Sequence, residues 1–84
     1  MIWDVVSVQP ILPLMLAVRF EDGTEGKVLF EPSHLSGVFE ALRVPDFFIQ
    51  ARVELGAVTW PGDIDLAPDA MYREIKLAGE WVLR

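Results

Sequence analysis

The stretch that decides the fold is AVTWPGDIDLAPDAMY, residues 57–72. A short β-rich segment ends at Trp60, and Pro61-Gly62 turns the backbone. Pro68 then suits the first position of a helix, where a missing N–H costs no hydrogen bond. We therefore predict a strand, a turn and a helix, with Trp60 and Tyr72 packed together to join the strand to the helix.

Three carboxylates, those of Asp63, Asp65 and Asp69, lie in the same stretch. Clustered carboxylates can hold Mg²⁺ or Ca²⁺, but the spacing D-x-D-x-x-x-D lacks the glycine and the distal glutamate of a calcium loop. We favour a role in shaping the backbone, with Asp63 capping the turn, Asp65 bonding N–H groups near the helix start and Asp69 in the first helical turn. Asp63 and Asp65 remain the candidates for a metal-assisted enzyme.

The helix that begins at Pro68 is predicted to end at Gly79, a residue typical of helix C-caps. Its inner stripe is Met71, Tyr72, Ile75 and Ala78. An apolar tail, Trp81-Val82-Leu83, follows the helix. Trp3 and Trp81 are either core anchors or parts of a recognition surface, so the candidate interaction residues are Trp3, Trp81, Val82 and Leu83.

A hairpin is predicted upstream, because residues 14–20 and 26–30 both alternate between apolar and polar side chains. A three-residue loop, Glu21-Asp22-Gly23, pairs Val18 with Gly26 and keeps the apolar residues on one face. A two-residue loop would place charges on that face. Gly23 supplies the left-handed residue that ends such a loop.

The remaining segments complete an α+β domain. Residues 2–8 form a first strand without clean alternation, either covered on both faces or beside a helix. A 3₁₀ turn and short helix are expected to about residue 43, with Ser33 or Ser36 as the N-cap, and Pro45-Asp46 breaks the chain. Residues 47–53 read as a strand, although Phe47-Phe48 also fit a helical turn; a two-residue loop, Leu55-Gly56, returns the chain to Val58.

We thus predict one domain, residues 1–84, with a small and mostly antiparallel sheet. It has five or six strands built from hairpins and two helices packed on it. The 52% hydrophobic content excludes a disordered chain and leaves apolar surface for a partner. With no cysteine, disulfides and thiolate metal sites are excluded.

Charge and hydropathy narrow the classes of function further. The first residues lack a basic signal-peptide region, and the longest apolar run is too short for a membrane span, so we expect a cytoplasmic protein. The net charge of −6 disfavours a phosphate backbone as ligand and favours a basic protein partner.

Several of these segments together resemble a small bacterial family, the domain of unknown function 2442. The matching residues are 16–23 (LAVRFEDG), Gly37-Val38-Phe39 with Leu42, Phe47-Phe48, and residues 60–68 (WPGDIDLAP) with Met71-Tyr72. The resemblance implies similarity to the N-terminal domain of a two-part regulatory protein and carries over no catalytic residue. It also implies an antitoxin-like role toward a small neighbouring protein.

Two further candidates complete the set. His34 is the sole histidine and has no identifiable nucleophile beside it, so we interpret it as a loop residue. Arg19, Lys27 and Arg52 form a potential basic strip for RNA, with Phe48 as a stacking group. We predict no catalytic residue, cofactor or metal. The first hypothesis is a protein-interaction module that binds itself or a partner. The second is a nucleic-acid regulator, and the third is the metal-assisted enzyme.

Overall fold

The computed structural model describes residues 1–84, which form seven strands and two α-helices. The strands are β1 (Val5–Ile11), β2 (Met15–Phe20), β3 (Glu25–Phe30), β4 (Arg52–Glu54), β5 (Ala57–Trp60), β6 (Ile64–Asp65) and β7 (Glu80–Leu83). The α-helices are α1 (Pro45–Phe48) and α2 (Pro68–Ala78), and two 3₁₀ segments cover Pro32–His34 and Gly37–Arg43. The α+β class is therefore confirmed.

The strands form two sheets rather than the one that the sequence predicts. A four-stranded sheet has the order β1-β2-β3-β7, and a three-stranded sheet has the order β4-β5-β6. All strand pairs are antiparallel except β3 and β7, which run parallel. A parallel neighbour requires a crossover, and the second sheet together with α2 supplies the chain between β3 and β7.

The predicted hairpin register is confirmed. Val18 pairs with Gly26 and Arg19 with Glu25, so the loop has three residues. Gly23 has a φ of 89°, the left-handed conformation that a three-residue loop requires. The predicted two-residue turn at Leu55-Gly56 is also confirmed, since Val53 pairs with Val58 and Glu54 with Ala57.

One hydrophobic core joins the two sheets and α2. Sixteen residues are buried, all of them apolar, and they form a single cluster. The predicted inner face of the hairpin contributes Leu16, Val18, Phe20, Val28 and Phe30, and α2 contributes Met71 and Ile75. Helix α2 ends as predicted at Gly79, whose φ is 78° and whose N–H donates to the Ile75 carbonyl.

The first strand lies three residues later than predicted, at Val5–Ile11 instead of residues 2–8. A register shift between Val5 and Ser7 introduces an irregularity that breaks the alternation of side chains. Pro10 is tolerated because β1 is an edge strand and can leave one N–H position unused.

The segment around Pro45 is also different from the prediction. Pro45 does not break the chain but opens α1, in the position where proline fits a helix best. Phe47-Phe48 therefore belong to a helical turn, and β4 is limited to Arg52–Glu54. Residues 37–43 form a 3₁₀ helix with Ser36 at its start, and the Ser36 side chain makes no capping hydrogen bond.

The predicted contact between Trp60 and Tyr72 is wrong. The Trp60 ring packs against Phe30 and Phe48, and its Nε1–H donates to the Phe48 carbonyl at 2.9 Å. The Tyr72 ring packs edge-on against Phe20, with ring centroids 5.1 Å apart. Trp60 of the second sheet faces α1, whereas α2 packs against β3 and β7, so each ring has its own partners.

Candidate interaction surface

An apolar row crosses the outer face of the four-stranded sheet. Ile11 pairs with Met15, Met15 with Leu29, and Leu29 with Val82, so the register aligns one side chain from each strand. On three of the strands a residue adjacent to the row faces the opposite side and is buried in the core: Leu16 on β2, Val28 on β3 and Leu83 on β7. We call Ile11, Met15, Leu29 and Val82 the outer apolar row.

A hollow of about 510 Å³ lies beside the outer apolar row. The β1–β2 connection contributes Leu12, Pro13 and Leu14 to its wall, and Leu12 is 51% exposed. The rest of the wall is formed by Met15, Leu29, Phe30, Glu31, Pro32, Val82 and Arg84. A largely apolar depression with a few charged groups at its border is the usual form of a surface that contacts another protein.

The rest of the outer face is polar. Arg19 is paired with Glu25 and Lys27 with Glu80, and these residues occupy the half nearer the β2–β3 loop. The same face therefore changes from charged to apolar along the strands. The predicted hairpin register already pairs Met15 with Leu29 on the outer face, the face that carries Arg19 and Glu25. This apolar pair on a solvent-facing surface is the signal that sequence reasoning missed.

The residues predicted for interaction lie in different places. The apolar tail, residues 81–83, is held in place as part of the strand β7. Leu83 is 8% exposed and belongs to the core, and Trp81 packs partly against it. Val82 joins the outer apolar row, while Trp3 is half-buried in the turn that precedes β1. Of the four candidates, only Val82 belongs to this surface.

The aspartates of residues 57–72 are exposed, while Ile64 and Leu66 beside them are buried. Asp63 shapes the backbone through its own left-handed φ of 62°, and Asp69 lies in the first turn of α2. No side chain caps that helix, which begins after Ala67, so the predicted capping role of Asp65 is wrong. Asp63 and Asp65 line a hollow with Glu54, but no three acidic, histidine or cysteine side chains are placed to hold a metal ion.

The basic residues singled out for RNA all have carboxylates beside them. Arg52 Nε lies 3.1 Å from Glu54 Oε2, in addition to the pairs Arg19–Glu25 and Lys27–Glu80 across the strands. Phe48 is 0% exposed and is unable to stack on a base. Only the Arg52–Glu54 pair is a salt bridge, and the other two are cross-strand neighbours; the alternating charges leave no continuous basic strip.

His34 is a loop residue. Its ring packs near Phe39, and its Nδ1 lies 3.4 Å from the Arg84 carbonyl oxygen. It therefore lies next to the end of β7, and its ring has no hydrogen bond to Ser33 or Ser36, the hydroxyl residues beside it in the chain.

One polar contact outside this surface has a strong electrostatic effect. The Tyr72 hydroxyl donates to Asp22 Oδ2 at 2.6 Å, and the Thr24 N–H donates to Asp22 Oδ1 at 2.9 Å. These two donors lower the pKa of Asp22 from 3.8 to about 2, and the same contact raises the pKa of Tyr72. Because it ties the hairpin loop to α2, we assign this contact to stability.

Comparison with known proteins gives one match. The sequence model of the family described as "Protein of unknown function (DUF2442)" matches residues 5–76, and these residues include both sheets except β7. No curated protein and no solved structure matches the chain. None of its helices is long and apolar enough to cross a membrane.

Proposed function

Because the chain belongs to the DUF2442 family of unknown function, we propose a function from its surface: it is a protein-interaction module that binds a basic protein partner on the outer apolar row. The observation that carries the proposal is the alignment of Ile11, Met15, Leu29 and Val82 across all four strands. Apolar side chains at the centre of an interface supply most of the affinity when a partner excludes water from them.

Charge supports a basic partner. The net charge of the chain is −6, although Glu31 and Arg84 offset each other at the border of the hollow, so the support comes from the chain as a whole. Opposite charge on the partner accelerates encounter and orients the two surfaces, while the apolar contacts hold the complex. Association should therefore become slower as salt is added, with a smaller change in dissociation rate.

The test compares the wild type with two variants on the same face. Met15→Gln/Leu29→Gln makes the row polar without changing the net charge, and Ala17→Gln makes a similar change in the polar half. The wild type is first used as bait to isolate proteins from the native cells, and a protein that it retains is identified and purified. This partner is then titrated against the wild type, the double variant and Ala17→Gln. We expect Ala17→Gln to bind like the wild type and the double variant to bind at least about tenfold more weakly.

Equal affinity of all three proteins for the identified partner would refute the proposal. Circular dichroism and the unfolding temperature of each variant, measured in parallel, separate a lost contact from a lost fold. Met15 and Leu29 are half-buried on the face opposite to the core, so the double variant should remain folded.

An antitoxin-like role toward a small neighbouring protein is the narrower form of this proposal. It rests on the family resemblance, and it predicts that co-expression of the neighbouring protein with this chain yields a complex that the Met15→Gln/Leu29→Gln variant does not form.

A further inference from the structure

The two edges of the four-stranded sheet differ in how they are protected. At the β1 edge, the Val5 N–H donates to the Gly56 carbonyl of the β4–β5 turn at 2.9 Å, and Pro10 has no N–H to offer. Covering turns and prolines are the usual means of blocking an edge strand. The β7 edge contains no proline.

Half of the backbone groups of β7 point away from β3. The carbonyls of Gly79 and Leu83 accept hydrogen bonds from the N–H groups of Lys27 and Glu31, so the odd-numbered residues face β3. Because an extended chain alternates, the N–H and C=O groups of Glu80, Val82 and Arg84 face the other side. A strand with such a row of outward groups can pair with another chain.

Space is available next to this edge. A hollow of about 600 Å³ is bordered by Glu80, Val82 and Arg84 on β7 and by His34, Glu74 and Ala78. His34 is the side chain that must turn aside when the sheet is extended, because its Nδ1 lies 3.4 Å from the Arg84 carbonyl oxygen.

The sequence of this edge, Glu80-Trp81-Val82-Leu83-Arg84, is complementary to itself when reversed. We propose that two copies of the chain pair antiparallel through β7, with Val82 on the two-fold axis. Val82 then pairs with Val82 of the second copy, Trp81 lies opposite Leu83, and Glu80 lies opposite Arg84. The axis is perpendicular to the sheet, as isologous pairing of edge strands requires.

Each of these cross-strand pairs is favourable. Glu80 and Arg84 are exposed on the outer face and would form an ion pair at each end, whereas the half-buried Trp81 would lie beside the core residue Leu83 of the second copy on the inner face. A shift of the register by two residues would place Glu80 opposite Val82 and remove both ion pairs. The charges thus select one register.

The pairing has a consequence for the proposed function, although it does not depend on it. Because the axis keeps the two outer faces on the same side, the two outer apolar rows meet at Val82. A dimer would present one continuous apolar row to its partner, from Ile11 of one copy to Ile11 of the other.

Charge reversal tests the pairing. Sedimentation equilibrium over a range of concentrations is measured for the wild type, Glu80→Arg, Arg84→Glu, the double swap, and Glu40→Arg as a control with the same charge change in the 3₁₀ segment. We expect a dimer for the wild type, the control and the double swap. Each single variant places like charges opposite each other twice, so its dimer should dissociate with a Kd about tenfold higher than that of the wild type.

A cross-link provides a second measurement that does not depend on charge. The chain has no cysteine, so Val82→Cys introduces a single thiol. A short bis-maleimide should join two copies of Val82→Cys efficiently and two copies of Ala17→Cys poorly. The pairing would be overturned by a wild type that is monomeric at all concentrations, or by a dimer that survives both single charge reversals. Either result would leave the partner-binding test with Met15→Gln/Leu29→Gln unaffected.

Discussion

The Tyr72 hydroxyl donates a hydrogen bond of 2.6 Å to Asp22 Oδ2 and so connects helix α2 to the β2–β3 loop, fifty residues away in the chain. The Tyr72 ring lies edge-on against Phe20 at the end of the same hairpin, and Lys76 Nζ lies 5.9 Å from its centroid. The contact fixes the loop at one end of the sheet, while the outer apolar row lies at the other end.

Replacing Tyr72 by phenylalanine removes the hydroxyl and keeps the ring against Phe20. We expect the pKa of Asp22 to rise from about 2 toward its ordinary value of 3.8, because the Tyr72 hydroxyl is the largest of the groups that lower it. An NMR titration of the Asp22 carboxyl in the wild type and in Tyr72→Phe measures the change. An unchanged pKa would show that the Thr24 N–H alone controls this carboxylate.

The same contact makes the free energy of unfolding depend on pH in the acid range. The folded-state pKa of Asp22, about 2, is below the ordinary value of 3.8, so between these pH values the unfolded chain binds more protons than the folded one. The stabilisation is complete above the ordinary pKa and is lost as the pH falls to about 2. Urea unfolding of the wild type and of Asp22→Asn measures this effect. As the pH falls over this range, the free energy of unfolding should decrease less in Asp22→Asn than in the wild type. Equal decreases would assign the acid sensitivity to other carboxyl groups.

Tyr72 makes the free energy of unfolding depend on pH in the alkaline range as well. Its pKa is raised above the model-compound value of 10.0, so its contribution is present below that pH and is lost as the pH rises through the folded-state pKa. In Tyr72→Phe the free energy of unfolding should therefore fall less steeply above pH 10 than in the wild type, as urea titrations at successive pH values would show. Parallel curves for the two proteins would contradict this assignment.

The sequence predicts local structure well where side-chain alternation and a turn residue agree. The β2–β3 register follows from the apolar positions of Leu16, Val18 and Val28 together with Gly23, because any one-residue slip would expose them. The end of α2 at Gly79 is predictable for the same reason, since the residue type and the left-handed conformation match.

Long-range pairing is less accessible to sequence reasoning. Nothing local in Trp81-Val82-Leu83 indicates that these residues run parallel to β3, because the partner strand is about fifty residues away. The outer apolar row is hidden for the same reason: two of its members, Met15 and Leu29, meet in a predictable hairpin, but Val82 joins them only through β7.

Gly26 lies where β3 approaches α2 closely. A Cβ at this position would overlap Ile75 Cγ2 and would lie 2.8 Å from the Gly79 carbonyl oxygen. Gly26→Ala should therefore lower the free energy of unfolding by about 1–3 kcal/mol, the usual cost of overpacking a core. Urea unfolding measures the loss, and Gly26→Ala/Ile75→Ala should cost less than the sum of the two single variants because the smaller side chain removes one of the overlaps.

Trp60 contributes both packing and a buried hydrogen bond. It is 0% exposed, and its Nε1–H satisfies the Phe48 carbonyl at the end of α1. Trp60→Phe removes the donor and leaves part of the indole volume empty, so we expect the free energy of unfolding to fall by about 2–4 kcal/mol. Trp81→Phe is the matched control, because Trp81 is only half-buried on an edge strand and should cost less. Comparable losses for the two variants would contradict the assignment of a larger packing and hydrogen-bond contribution to Trp60 than to Trp81.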